Sequence, residues 1–136
     1  MESPVPAVRL IVADDEGRVL VLRRANSDYG MGGWCLPGGK VDYGETVEDT
    51  VRKELQEETA LVCKSARFLF FQDSLPLEPG RMHCINFYFE CRVDGEIRLN
   101  DESSEAAWIR AEDLERFELV FRNDEGLKRY WSSPGS

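Results

Sequence analysis

Three glutamates, Glu54, Glu57 and Glu58, have the i, i+3, i+4 spacing that brings side chains together on a helix. On a wheel of about 100° per residue, Glu54 and Glu58 fall in or beside the apolar stripe, and Glu57 lies on its flank. That stripe is formed by Val47, Val51 and Leu55. Carboxylates turned inward repel one another and lose hydration, so a compensating cation is expected. Oxygen ligands suit Mg²⁺, with Mn²⁺ as a substitute. The alternative interpretation of three such glutamates, taken in isolation, is an acidic helix face exposed to solvent.

The segment before this helix, residues 36–45, is rich in glycine and contains the pair Gly38-Gly39. Glycines allow the backbone to approach a ligand or a metal without obstruction by a Cβ atom. The start of a helix also favours anions through its free N–H groups. Taken alone, Gly38-Gly39 is explained equally by a tight turn. Followed by the three glutamates, it indicates a site for a metal and phosphates.

Residues 39–61 resemble the Nudix box, which is written G-x5-E-x7-R-E-U-x-E-E-x-G-U, where U is a bulky aliphatic residue. The positions in register are Gly39, Glu45, Glu54, Leu55, Glu57, Glu58 and Leu61. Two positions differ, because Lys53 replaces arginine and Ala60 replaces glycine. Lys53 keeps the charge but lacks the forked guanidinium, and Ala60 adds a methyl group where a helix end favours glycine.

The resemblance extends to the lead-in at 20–23 and 33–37 and to the later pattern Glu102-x-x-Glu105-x-x-Trp108. It implies one domain over residues 1–136, with an α/β/α sandwich in which a mixed β-sheet lies between helices. It also implies an enzyme that hydrolyses the phosphoanhydride of a nucleoside diphosphate linked to another moiety. Chain length and the absence of a linker are consistent with a single domain.

The family motif also implies a role for each matched residue. The expected metal ligands are the backbone carbonyl of Gly38 and the side chains of Glu54, Glu57 and Glu58. The same three glutamates are the preferred catalytic groups, with Glu54 or Glu57 as the preferred general base. A distal acid, either Glu102 or Glu105, is the alternative base, and both are otherwise explained as solvated loop acids.

Supporting roles fall to Gly39, Glu45 and Lys53, with Glu45 expected to pair with Lys53 rather than to bind metal. Candidate phosphate contacts in this acidic chain are Arg23, Arg24 and Lys40, each of which is otherwise explained as a surface charge. Aromatic residues that offer a stacking surface for a nucleobase are Tyr29, Trp34, Phe71, Phe87 and Tyr88. Alternation along 82–93 predicts that most of them fill the core instead.

Substrate choice depends on one residue. Pro76 lies 15 residues beyond Leu61 and resembles a feature of the ADP-ribose pyrophosphatase branch, so ADP-ribose or a nucleotide sugar is favoured. A MutT-like nucleoside triphosphate pyrophosphohydrolase is the alternative. A non-catalytic nucleotide sensor is a further alternative, supported by Lys53 and Ala60 alone.

The elements that must position these residues follow from hydrophobic periodicity and turn residues. A helix is predicted at 47–59, with Thr46 as its N-cap and Asp49 three residues later. Further helices are predicted at 112–117 and 123–131, and a loop at 25–33. Strands are predicted at 8–13, 19–23, 34–36, 66–72, 82–93 and 106–109, and the strand at 34–36 is expected to end in a turn at 37–39.

Composition limits the partners. The net charge of −9 argues against broad contact with nucleic acid or with anionic lipid, and leaves a small nucleotide as the expected partner. No apolar run has the length of a membrane span, and residues 1–4 lack the features of a secretory signal. The four cysteines form no CxxC pair, and His83 beside Cys84 is not a zinc spacing, so free thiols in a reducing cytoplasm are predicted. Both a monomer and a homodimer are compatible with the sequence.

Overall fold

The structure, a computed structural model, describes residues 3–25 and 32–133, so most of the predicted loop at 25–33, including Tyr29, lies outside the described residues. The described residues form strands, two α-helices and a short 3₁₀-helix at Ala111–Arg116. The strands are β1 (Val5–Val12), β2 (Val19–Arg24), β3 (Trp34–Cys35), β4 (Gly38–Lys40), β5 (Val62–Ser74), β6 (Cys84–Asp94) and β7 (Ser103–Ile109). The helices are α1 (Val47–Thr59) and α2 (Asn123–Ser132).

The strands form two sheets. The larger one has the order β4-β1-β6-β5, in which β1 and β6 run parallel while β4 and β5 are antiparallel to their neighbours. The smaller sheet has the order β3-β2-β7 and is antiparallel throughout. The larger sheet is therefore mixed, as expected for the fold class.

The two α-helices cover opposite sides of these sheets. On one side, Val51 and Leu55 of α1 pack with Val8, Leu10 and other buried residues. On the other side, α2 contributes Leu127 to a second core. Alternate residues of β1 and β2 point to opposite sides, and so serve both cores. The predicted α/β class with helices on both sides is confirmed.

Helix α1 begins and ends where the sequence predicts. The Thr46 side chain accepts a hydrogen bond of 3.0 Å from the Asp49 amide and caps the first turn. Val51 and Leu55 are fully buried, and Gln56 on the opposite side is exposed. The helix therefore presents a fixed inward face, beside which Glu54 and Glu58 are half-buried, whereas Glu57 is exposed.

Several predicted boundaries are wrong. A turn was expected at 37–39, but Gly38–Lys40 form β4, which pairs with β1. The strand expected at 34–36 ends at Cys35, and the strand expected at 66–72 begins at Val62 and ends at Ser74. The helix expected at 112–117 is a 3₁₀-helix. The errors in the strands share a cause, because strand pairing with distant residues decides where a strand stops.

Ala60, which replaces the glycine of the family motif, ends α1 in the left-handed region at φ 65°. In that conformation the Cβ atom of Ala60 is crowded by the backbone, and glycine would remove this crowding. Glycine also has more freedom in the unfolded chain, which offsets part of the gain in stability. We therefore expect Ala60→Gly to raise the free energy of unfolding by about 0.5–1 kcal/mol in a denaturant titration. Ala66→Gly, in the extended strand β5, is the matched control and should lower it. A loss of stability in both variants would contradict this explanation.

Neither α-helix in the described ranges has the length and apolar character needed to cross a bilayer. The four cysteines are free thiols: Cys35, Cys63 and Cys91 are buried and Cys84 is half-buried. Their placement is structural, since three of them fill core positions on strands.

Candidate functional site

Two glutamates of α1 meet the glycine strand β4. The backbone amide of Gly38 donates a 3.0 Å hydrogen bond to Glu58 Oε2. Gly39 lies against the Glu54 carboxyl group so closely that a Cβ atom at Gly39 would fall 2.6 and 2.9 Å from its two oxygens. The predicted inward face of α1 and the predicted glycine pair therefore form one site.

Burial governs the ionisation of this pair of carboxyl groups. It raises the pKa of Glu54 to about 7, and the charge of Glu57 adds to the rise. It also raises the pKa of Glu58 to about 8, with further increases from Glu54 and Glu102 and opposition from the Gly38 hydrogen bond and from Arg9. A half-buried pair of acids whose pKa values are strongly raised is typical of a functional site. Glu57 is exposed at the rim.

The expected pair of Glu45 and Lys53 is present beside this site. Lys53 Nζ lies 2.9 Å from Glu45 Oε1 and 3.1 Å from Asp42 Oδ2. These hydrogen bonds, that to Glu45 first and that to Asp42 second, raise the pKa of Lys53. The lysine thus ties the loop before α1 to the helix, although Asp42 was not anticipated from the sequence as a partner.

The two distal acids differ in their placement. Glu102 is close enough to both Glu54 and Glu58 to raise their pKa values. Asn100 holds it there: its Nδ2 donates to the Glu57 carbonyl at 3.1 Å and to Glu102 Oε2 at 3.4 Å, and its Oδ1 accepts from the Glu102 amide at 3.1 Å. Glu105 instead lies 3.5 Å from Arg23 on the smaller sheet.

The candidate phosphate contacts do not form one cluster. Arg23 is engaged by Glu105 and by the Gly32 carbonyl, and Lys40 is exposed on β4. Arg24 lies with its guanidinium 4.7 Å from the centre of the Phe121 ring.

Arg9 was missed by the sequence analysis. It pairs with Gly38 across β1 and β4, and its guanidinium lies 5.6 Å from the centre of the Phe121 ring. A single arginine within the apolar run 7–13 was the available signal.

The aromatic candidates mostly fill the core, as alternation predicts. Tyr88 is fully buried, and Trp34 and Phe87 are half-buried and packed against the two cores. Phe71 is 54% exposed on the edge strand β5.

The chemistry of this site fits a divalent cation. Its side-chain donors are carboxylate oxygens, and the gap left by the missing Cβ of Gly39 is what admits the Glu54 carboxyl group. Within residues 3–25 and 32–133, no three His, Cys, Asp or Glu side chains form a metal shell by themselves. Main-chain, water and substrate oxygens must therefore complete any coordination sphere, as is usual for Mg²⁺.

Comparisons with known proteins agree on one family. A family model described as the NUDIX domain matches residues 3–130. An ADP-ribose pyrophosphatase of Methanocaldococcus jannaschii is 34% identical over 93% of this chain and 73% of its own length. Nucleoside triphosphatase NudI of Escherichia fergusonii is 29% identical over 77% of this chain and 82% of its own. The solved structure of a MutT NUDIX hydrolase from Burkholderia pseudomallei superposes with a TM-score of 0.81 at 27% identity, covering 93% of this chain and 98% of that chain.

Proposed function

Because this chain belongs to the NUDIX domain family, we propose that it is a magnesium-dependent Nudix hydrolase that cleaves the phosphoanhydride of ADP-ribose or of a nucleotide sugar. It is a hydrolase of phosphoanhydride bonds that acts on nucleotide derivatives, and enzymes of this kind generally use divalent metals. The proposal adds the identity of the metal, the substrate class and a single domain over residues 1–136. The observation that carries it is the half-buried pair Glu54 and Glu58 against the glycine strand.

Each residue of the site has a distinct task in this proposal. Glu54, Glu58 and the Gly38 carbonyl would hold Mg²⁺ or Mn²⁺, and Glu57 would contribute from its exposed position, directly or through water. A cation held there would neutralise charge on the substrate phosphates and activate water. Gly39 keeps Glu54 close to the strand, while Glu45 and Lys53 fix the loop before α1.

The general base is one of the site acids. Glu54 and Glu57 remain the preferred candidates, and of the two distal acids the geometry favours Glu102 over Glu105. Glu102 lies beside the carboxylate pair and is held by Asn100, whereas Glu105 is engaged by Arg23.

ADP-ribose is favoured because the relative named ADP-ribose pyrophosphatase aligns over 93% of this chain, and because Pro76 stands at the position noted in the sequence. The second candidate, a MutT-like nucleoside triphosphate pyrophosphohydrolase, is supported by the NudI relative and by the MutT structure at 27% identity. A non-catalytic sensor is the weakest candidate, since the box carboxylates are all present.

A substrate panel tests the proposal. ADP-ribose, nucleotide sugars and nucleoside triphosphates are incubated with Mg²⁺, and the products are identified by chromatography. We expect AMP and ribose 5-phosphate from ADP-ribose, and loss of the reaction in EDTA. Nucleoside monophosphate and pyrophosphate released only from triphosphates would favour the second candidate. Binding of these nucleotides with no turnover across the panel would contradict the proposal and favour the sensor.

The role of Glu102 is tested through Asn100, which positions it. We expect Asn100→Ala and Glu102→Gln each to lower kcat/KM by roughly 10- to 100-fold, because groups that orient site residues typically have effects of this size. The double variant should be no worse than Glu102→Gln, since both changes remove the same function. Exposed Glu115 provides a control through Glu115→Gln, which should be neutral. Additive losses would show that Asn100 acts independently of Glu102.

A further inference from the structure

Two buried side-chain atoms lack a hydrogen-bond partner within the described part of the chain: Arg9 Nε and Asn86 Oδ1. Asn86 is only 1% exposed. A buried polar atom without a partner costs free energy, so such atoms are rare in native proteins. One of them is a donor and the other an acceptor, and no hydrogen bond joins either atom to the carboxylate site, although the charge of Arg9 lowers the pKa of Glu58.

Both residues lie on the side of the larger sheet that α2 covers. In the parallel pair β1 and β6, Ala7 is opposite Asn86 and Arg9 is opposite Tyr88. Tyr88 belongs to the α2-side core, whereas the intervening pair, Val8 and Phe87, belongs to the α1-side core. Strand alternation therefore places Arg9 and Asn86 on the same face, one step apart on neighbouring strands.

The two residues have one small and one aromatic neighbour on this face. Ala7 lies opposite Asn86 and two residues before Arg9 on β1, so it adds only a methyl group beside them. The Phe121 ring lies 5.6 Å from the guanidinium of Arg9 and forms the apolar wall beside it. Phe121 and Arg122 are both held at positive φ, 60° and 59°, just before α2. Consecutive strained residues of this kind occur where the fold holds a side chain in a fixed place for function.

We propose that Arg9 and Asn86 recognise the adenine base of the substrate, with Arg9 Nε donating to N7 and Asn86 Oδ1 accepting from the 6-amino group. Adenine presents an acceptor at N7 next to a donor at N6, which complements this donor and acceptor. Guanine presents two adjacent acceptors, N7 and O6, and would set O6 against Asn86 Oδ1. The inference deepens the proposed function, on which it rests for the position of the phosphates.

The distance across the sheet agrees with this assignment. Gly38, whose amide is hydrogen-bonded to Glu58 of α1, lies on β4, and Asn86 lies on the second strand from it, β6. Adjacent strands are about 4.8 Å apart, so the two positions are separated by roughly 10 Å. A nucleotide spans a comparable length between its phosphate and the far edge of its purine. A base at Asn86 therefore lies within the length of one nucleotide of Gly38, to which Glu58 is hydrogen-bonded.

Ligands that lack one contact each test the inference without altering the protein. Isothermal titration in Mg²⁺ buffer compares AMP with 7-deaza-AMP, which has no N7 acceptor, and with purine riboside monophosphate, which has no 6-amino group. We expect each analogue to bind the wild type roughly 10-fold more weakly than AMP, and GMP to bind at least as weakly. Equal binding of AMP and both analogues, preferential binding of GMP, or no binding of AMP would overturn the inference.

Variants then assign each contact to its residue. Arg9→Met should bind AMP and 7-deaza-AMP equally, and Asn86→Leu should bind AMP and purine riboside monophosphate equally, because the partner is already lost. Arg116→Met, which removes an exposed arginine from the 3₁₀-helix, is the charge control. It should keep the wild-type ratios of AMP affinity to the affinity of each analogue. Thermal unfolding monitors the fold, and Asn86→Ser provides a smaller polar replacement if Asn86→Leu does not fold. Wild-type ratios in Arg9→Met and in the Asn86 variant would contradict the assignment.

Binding and turnover separate this inference from the proposed reaction. If ADP-ribose is not hydrolysed but AMP binds more tightly than its analogues by the expected factor, the proposed reaction is wrong and the adenine site stands. If ADP-ribose is hydrolysed but AMP and its analogues bind equally well, the proposed adenine site is wrong and the proposed reaction stands.

Discussion

Replacing Glu58 with glutamine is expected to remove most of the activity and, in the same protein, to stabilise the metal-free fold at pH 8. Glutamine has the size of glutamate and retains an oxygen that can accept the Gly38 hydrogen bond. It cannot ionise, so it loses the negative charge that a divalent cation requires. We expect kcat to fall by roughly 10²- to 10⁴-fold, the range for loss of a group on which catalysis depends directly.

The gain in stability follows from the raised pKa of Glu58. Burial raises it from its ordinary value of 4.5 to about 8. Between these two pH values the folded state retains a proton that the unfolded state releases, so the metal-free fold loses stability as the pH rises, and the full cost is present above pH 8. Glu58→Gln removes that cost and should stabilise the protein by roughly 1–3 kcal/mol at pH 8 and by little at pH 4.5.

Thermal unfolding at pH 4.5 and pH 8, with EDTA or with Mn²⁺, measures this effect. In EDTA at pH 8 the variant should have the higher Tm, whereas Mn²⁺ should raise the Tm of the wild type alone. Glu115→Gln, which removes one exposed charge, should leave both comparisons unchanged. A variant that is less stable than the wild type in EDTA at pH 8 would mean that Glu58 supports the fold rather than a metal.

Local patterns predicted α1 and its glutamates because helix geometry depends on neighbouring residues only. The Thr46 cap, the apolar stripe and the inward position of Glu58 all follow from spacing within a few residues. The pair of Glu45 and Lys53, eight residues apart along the chain, was instead expected from the resemblance to the Nudix box.

Contacts between distant segments could not be predicted in this way. Strand β4 exists because Gly38 pairs with Arg9, and no local pattern distinguishes that pairing from a tight turn. Asn100 reaches the Glu57 carbonyl across 43 residues from an irregular segment. Arg9 looked like an interruption in an apolar strand, and its place beside the site became clear only from the register of β1 with β4 and β6.

Alanine at Gly39 is expected to lower activity by about 100-fold while the protein still folds. The added Cβ atom would lie 2.6 and 2.9 Å from the two oxygens of Glu54. These atoms are the end of a flexible side chain, so the carboxyl group can move away at little cost to stability. A displacement of about 1 Å is enough to misplace a group that must bind a cation, and misplacements of that size typically cost about 100-fold in rate.

Alanine at the neighbouring Gly38 should mainly lower the stability of the fold, whereas alanine at Gly39 should mainly lower activity. Its Cβ atom would collide with the main-chain carbonyl of Val8, which cannot move without separating β1 from β4. We expect a loss of about 3 kcal/mol or more in the free energy of unfolding, since forced backbone displacement belongs to the severe class of substitutions.

Denaturant titrations and kcat measurements on both variants distinguish the two glycines. In the double variant Gly39→Ala/Glu54→Gln, activity should be no lower than in Glu54→Gln alone, because Gly39 acts only through that carboxyl group. An additive loss would mean that Gly39 touches the substrate itself. Equal stability losses at Gly38 and Gly39 would mean that both glycines serve the strand, and the close approach of Glu54 to Gly39 would then have no part in metal binding.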